Sequence, residues 1–297
     1  MSAFTDNSSP GPDVGAPTPR EVGSRLFVVG CPRSGTTLLQ SFLAAHPAVL
    51  AFPETGVFAR LLIVPSRVAT AATDAAAGIA AAHARARALL DAMERPDLGP
   101  LLDPAASIVE YGRSFVGVLD RLTVDQGKHS WAEKTPKHLA FVSEIRDLVP
   151  GARFLNILRD GRQNVASLYE AALKHPNVWW PAGSSGDLEQ AIERWNSSVR
   201  HARALRGTPD VLLIRYERLV SDTEAVLREI CTFAGLAFRS EMIERRTEAA
   251  RAVVTAAEPW KADVLQGLRP ALDDKFDRLF NAEQKAYIDA RLEQIDF

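Results

Sequence analysis

With only two cysteines in 297 residues, the chain has little material for a disulfide or metal framework. Cys31 and Cys231 lie far apart with no ligand-like spacing, which argues against a Cys-based metal site and points to a reducing compartment. Long apolar runs are missing too, and no stretch is extended enough to span a bilayer. Charge of one sign is not in excess: 35 Lys and Arg against 37 Asp and Glu give a net charge of −2. That balance removes any whole-chain electrostatic case for nucleic acid or a polyanionic surface. A local basic pocket for one anionic ligand stays open, because it needs only a few cations. Residues 1–19 are rich in Ser, Pro, Gly and Asp and lack the basic-then-apolar order of a signal peptide. They read as a disordered tail, and the protein is expected to be cytoplasmic.

What is present is ordinary globular material, 46% hydrophobic and 24% charged. No internal repeat and no linker-like stretch interrupts it. The expected organisation is therefore a tail over residues 1–22 and a single domain over residues 23–297.

Leu26-Phe27-Val28-Val29 is a short apolar run stopped by Gly30, as expected of a buried strand. From Thr36, the residues Leu38, Leu39, Phe42 and Leu43 recur at helical spacing until His46-Pro47 ends the run. Two further apolar runs, Phe154-Leu155-Asn156-Ile157-Leu158 and Val211-Leu212-Leu213-Ile214, read as strands. Helical spacing is expected near residues 69–90, 107–122, 138–148, 165–172, 188–205, 223–234 and 282–292. Strands alternating with helices predict an α/β fold of three layers, with a central, mostly parallel sheet flanked by helices.

Gly30-Cys31-Pro32-Arg33-Ser34-Gly35-Thr36-Thr37 occupies the strand-to-helix turn where a phosphate-binding P-loop belongs. Glycines let the backbone curl so that amide N–H groups converge on an anion, and the start of a helix adds its positive end. Thr36 and Thr37 bring hydroxyl donors. A nucleotide triphosphatase needs Lys after the second Gly, and here Thr36 stands at that position, so ATP or GTP hydrolysis is disfavoured. The cation of the loop is Arg33.

This loop, with Leu38-Leu39 and His46-Pro47 following, resembles the 5′-phosphosulfate loop of sulfotransferases, most closely the bacterial and tyrosylprotein branch. The resemblance implies that Arg33, Ser34, Gly35, Thr36 and Thr37 cradle the 5′-phosphate of 3′-phosphoadenosine 5′-phosphosulfate (PAPS), whose product is the 3′,5′-bisphosphate PAP. A second segment, Arg159-Asp160-Gly161-Arg162-Gln163-Asn164-Val165-Ala166-Ser167, resembles the family's 3′-phosphate site. Arg159 at a strand end suits bidentate binding of phosphate, with the Ser167 hydroxyl as a further donor. Leu213-Ile214-Arg215-Tyr216 resembles the strand that carries a Tyr near the adenine, and Trp260-Lys261 resembles a C-terminal loop closing over the cofactor.

Sulfuryl transfer demands positioning and electrostatic stabilisation more than covalent chemistry, and a sulfuryl group carries less charge than a phosphoryl, so no metal is expected. Glu54, in Phe52-Pro53-Glu54-Thr55, aligns with the Glu regarded as the base in tyrosylprotein sulfotransferases. His129 and His138 are the alternatives, because many cytosolic sulfotransferases use a His. Lys134, in Trp131-Ala132-Glu133-Lys134-Thr135-Pro136, resembles the Lys that approaches the transferring group, and Arg33 shares that stabilisation. Gly56 departs from the tyrosylprotein pattern, which has Arg there, and this counts against peptidyl tyrosine, while the mixed apolar character of residues 61–124 and of the Trp179 loop favours a small hydroxylated acceptor. The acceptor pocket is expected from residues 61–124 and from the loop carrying Trp179-Trp180. Two rival readings are a P-loop kinase of small molecules and a non-catalytic protein that binds the bisphosphate nucleotide.

Overall fold

The three apolar runs form adjacent strands, and two further strands that the sequence does not advertise complete the sheet. The computed structural model describes residues 22–63, 71–102, 107–175, 188–254, 264–265 and 275–295. Strands β1 (Ser24–Gly30), β2 (Val49–Phe52), β3 (Ser130–Lys134), β4 (Ala152–Leu158) and β5 (Val211–Arg215) run parallel in the order β2-β3-β1-β4-β5. Val28 is level with Lys134 on one side of β1, and Gly30 is level with Ile157 on the other. Strand β2 is a four-residue apolar run close behind α1 that sequence reasoning passed over, and β3 ends in Glu133-Lys134, which interrupts the apolar run that marks a buried strand.

The helices in chain order are α1 (Thr36–Ala44), α2 (Val57–Leu62), α3 (Ala71–Ala92), α4 (Ile108–Asp125), α5 (Val142–Leu148), α6 (Gly161–Lys174) and α7 (Leu188–Ala204). They continue with α8 (Tyr216–Ser221), α9 (Thr223–Ala234), α10 (Glu241–Glu244), α11 (Arg246–Val253), α12 (Lys275–Leu279) and α13 (Ala282–Asp289). Local chemistry sets several ends. Ser107 caps α4 by accepting from the Glu110 amide at 3.1 Å, and Asp160 caps α6 by accepting from the Gln163 amide at 3.0 Å. The helix expected from residue 138 begins instead as a 3-10 turn, Pro136–Phe141, before α5. The helix expected to reach residue 292 stops at Asp289. Beyond it, the Arg291 carbonyl accepts from Asn196 Nδ2 and the Glu293 amide donates to Asn196 Oδ1, both at 2.9 Å.

Alternate strand residues enter opposite layers, as the pleat requires. Leu26, Val28, Leu155 and Ile157 pack with Leu39, Phe42 and Leu43 of α1 and Leu227 and Ile230 of α9. Phe27, Val29, Trp131 and Phe154 pack against α2, α3, α4 and α5. A third cluster joins α6 to α7 and α12 through Val165, Leu168, Trp195 and Phe276. Burial on both faces is what a parallel sheet needs. It leaves the C-terminal ends of the strands as the place where loops meet.

Candidate active site

Every strand delivers one of the expected residues at its C-terminal end. Across the sheet the order is Glu54 after β2, Lys134 ending β3, the Gly30–Thr37 loop after β1, Arg159 after β4 and Tyr216 after β5. Strand β1 is the point where connections depart in both directions, and open α/β sheets bind ligands there.

The loop is shaped by close approach. Gly30 has φ 145°, and a Cβ on it would meet the Ile157 carbonyl oxygen at 2.3 Å. Gly35 has φ 97°, and a Cβ there would meet Tyr216 Cδ2 at 2.4 Å. Arg33 holds a left-handed φ of 70°, a conformation that costs a non-glycine residue about 1–2 kcal/mol. Ser34 is fully buried; its hydroxyl lies 2.6 Å from the Cys31 carbonyl and 2.8 Å from that of Ile157. Its amide also bonds to Cys31 O, so Ser34 braces the turn from within and points no side-chain donor outward. Asn164 of α6 anchors the loop further, donating to the Pro32 carbonyl at 3.3 Å and lying 3.1 Å from Cys31 Sγ. Burial pushes the Cys31 thiol up to about 12. Helix α1 starts at Thr36 with no side-chain cap on its first-turn amides, and such amides are available to an anion.

The two expected phosphate segments are brought into contact. Arg33 Nε donates to Ser167 Oγ at 3.3 Å, although 134 positions separate them. Arg159 places its guanidinium carbon 4.8 Å from the centre of the Tyr216 ring, and that ring rests against Gly35. Arginine, aromatic ring and glycine thus form one stack beside the loop.

On the other side of β1, Lys134 Nζ makes a short ion pair with Glu54 Oε2. Lys134 is 1% exposed and Glu54 32%, so the ammonium is enclosed while the carboxylate faces outward. Behind them sits Glu133, fully buried. Its Oε1 accepts from Thr135 Oγ1 at 2.6 Å, Thr55 Oγ1 at 2.8 Å and the Thr55 amide at 3.2 Å. Its Oε2 lies 3.0 Å from His138 Nδ1. Burial alone would raise the Glu133 pKa. The charge of His138 and the hydrogen bonds outweigh it and hold the carboxyl below the usual range.

Of the alternative bases, His138 is wholly buried against Glu133, and His129 precedes β3 at the opposite end of that strand from Lys134. Lys261, Trp260 and the Trp179-Trp180 pair fall outside the described residues. Sequence reasoning missed Glu133 and Arg85. The first reads as one more charge in a polar pair, and only its place on β3 reveals its burial. Arg85 comes from the alanine-rich α3, where nothing in the pattern distinguishes it; its Nε donates to the Thr55 carbonyl at 2.7 Å and its Nη2 to that of Glu54 at 3.0 Å.

A parallel sheet with a tight glycine-bearing loop after its central strand and Arg159 at the neighbouring strand end defines a P-loop-type α/β fold. A model of the sulfotransferase family matches residues 25–240, and the chain belongs to that family. Protein-tyrosine sulfotransferase A of Caenorhabditis elegans is 26% identical over 225 residues, covering 73% of this chain and 51% of that protein. Protein-tyrosine sulfotransferase 1 of Danio rerio is 24% identical over 222 residues, covering 73% and 55%. The chain spans about half the length of these curated relatives. Among solved structures, the sulfotransferase domain from the Synechococcus PCC 7002 olefin synthase superposes with a TM-score of 0.59 at 18% identity, over 98% of this chain and 100% of that one. This is a likeness of fold.

Proposed function

We propose that the protein transfers a sulfuryl group from PAPS to the hydroxyl of a small molecule, with Glu54 as general base. The observation that carries the reading is the Lys134–Glu54 pair, set one strand away from an anion-shaped loop. The residues fit the nucleotide. Gly30 and Gly35 let the loop pack close against Ile157 and Tyr216, where a Cβ would clash, and Arg33, Ser167, Arg159 and Tyr216 gather on the side where a bisphosphate would lie.

When bound, PAPS supplies an activated sulfuryl group on a phosphate oxygen. The loop amides at the start of α1, together with Thr36, Thr37 and Arg33, would hold the 5′-phosphate. Arg159 and Ser167 would hold the 3′-phosphate, and Tyr216 would flank the base. Lys134 is a point charge that stabilises negative charge on the departing oxygen. Drawing its ammonium toward an anion in the loop loosens its hold on Glu54, and a carboxylate that loses a cationic neighbour becomes more basic. Glu54, the more exposed partner, then accepts the acceptor's proton.

One feature supports a small acceptor: Gly56 stands where the tyrosylprotein pattern has Arg. Arg85 of α3 touches the Glu54 carbonyl, so the connection between β2 and β3 reaches the proposed base. The test is to incubate the protein with labelled PAPS and separate panels of phenols, alcohols and tyrosine peptides, identifying products by mass spectrometry. Sulfated small molecules support the proposal, and sulfated peptides alone would replace its acceptor. Activity that survives excess EDTA separates this reading from a P-loop kinase. Nucleotide binding without any product would favour the non-catalytic reading.

A further inference from the structure

Glu133 and Lys134 are consecutive on β3, so their side chains leave opposite faces of the sheet. Glu54 and Thr55, consecutive after β2, match them in the same way: Glu54 meets Lys134, and Thr55 meets Glu133. Three successive amides are tied to this buried carboxylate, one directly and two through threonine hydroxyls. The Thr55 amide donates to Glu133 Oε1, the Gly56 amide to Thr135 Oγ1 at 3.0 Å, and the Val57 amide to Thr55 Oγ1 at 3.3 Å. Both hydroxyls donate hydrogen bonds to Glu133 Oε1, and Oε2 rests against His138.

We propose that Glu133, backed by His138, is a positioning residue that fixes the segment carrying Glu54 and so holds the Glu54–Lys134 pair in register. The assignment rests on the reading of Glu54 as the base. Glu133 has no exposure, so its action passes through Thr55. A buried carboxylate is costly unless charge and hydrogen bonds compensate it fully, and here the compensating donors come from the stretch next to Glu54. Arg85 grips the carbonyls of the same stretch from outside, which leaves the peptides between Glu54 and Gly56 held on both edges.

The experiment is a double-mutant cycle with an exchange measurement on the nucleotide-free protein. In folded Glu133→Gln, amide hydrogen exchange at residues 55–57 should quicken while the loop after β1 keeps its protection. Turnover should fall about 10- to 100-fold, the cost of roughly an ångström of misplacement, with donor KM and PAP affinity within about twofold. In a Glu54→Gln background the same change should cost no further turnover. Full additivity of the two losses, or unchanged exchange at residues 55–57, overturns the proposal. Retained turnover in Glu54→Gln alone would instead sink the base assignment, and the exchange result would still judge the clamp. If Glu133→Gln fails to fold, Thr55→Val should reproduce the loss and Thr55→Ser should recover most of it; equal losses in both would refute the link.

Discussion

Replacing Gly35 with Ala tests the shape of the loop with a single methyl group. Two costs add. The backbone at φ 97° lies outside the comfortable range of an L-residue, a penalty of about 1–2 kcal/mol. The new Cβ would also stand 2.4 Å from Tyr216 Cδ2 and 2.8 Å from Cε2, so the ring must retreat by about 1 Å. Forcing a packed group aside costs about 1–3 kcal/mol, and the ring carries the Arg159 guanidinium with it. A combined loss of about 2–5 kcal/mol should lower Tm by on the order of 5–15 °C, read by calorimetry. Affinity for PAP should fall with it, because Arg159 and the loop shift together. Tyr216→Ala removes the obstructing ring, so in that background the glycine substitution should cost only the backbone part, about 1–2 kcal/mol. The reasoning fails if Gly35→Ala melts like the wild type, or if its cost is the same with and without the ring.

Glu54→Gln keeps size and most hydrogen bonding but cannot take a proton; turnover should drop about 10²- to 10⁴-fold with PAP affinity nearly unchanged, and near-normal turnover in the folded variant rejects the base. PAP should raise Tm more than ADP does, and Arg159→Gln should erase that preference; equal stabilisation of the wild type by both would remove Arg159 and Ser167 from a 3′-phosphate role. Burial pushes the Cys31 thiol up to about 12 and the Cys231 thiol up to about 11, so both stay protonated at pH 8. Iodoacetamide should therefore label neither in the folded protein and both in guanidinium, and brisk labelling of folded protein at pH 8 would contradict their burial.

Legibility in the sequence followed the chemistry of each segment. Strand β1, its loop and α1 could be read because an apolar run, two glycines and helical spacing succeed one another within about twenty residues. Strand β4 and the apolar stripe of α6 were readable for the same reason. Strand β3 was not, since Ser-Trp-Ala-Glu-Lys lacks an apolar run and its two charges are buried only because each finds a partner from the turn after β2. The contact between Arg33 and Ser167 is likewise a product of tertiary structure. The Ser34 hydroxyl is another such product, turned inward to the Cys31 and Ile157 carbonyls between two left-handed residues.

Strand order explains how one site separates two tasks. Chain order places the loop first, yet the order β2-β3-β1-β4-β5 moves it to the middle. Elements after β1 in the chain therefore fall on two sides of it. Strands β2 and β3 bring Glu54 and Lys134 to one side, and β4 and β5 bring Arg159 and Tyr216 to the other. Helices α2, α3 and α4 all lie in the connection from β2 to β3, on the side of the proposed base. Changes there can reshape the surroundings of Glu54, through contacts such as that of Arg85, without disturbing the Arg33–Ser167 and Arg159–Tyr216 contacts across β1. Sites more than about 7–10 Å apart with no shared partners behave additively, so substitutions in α3 should alter acceptor use while leaving the affinity for PAP in place.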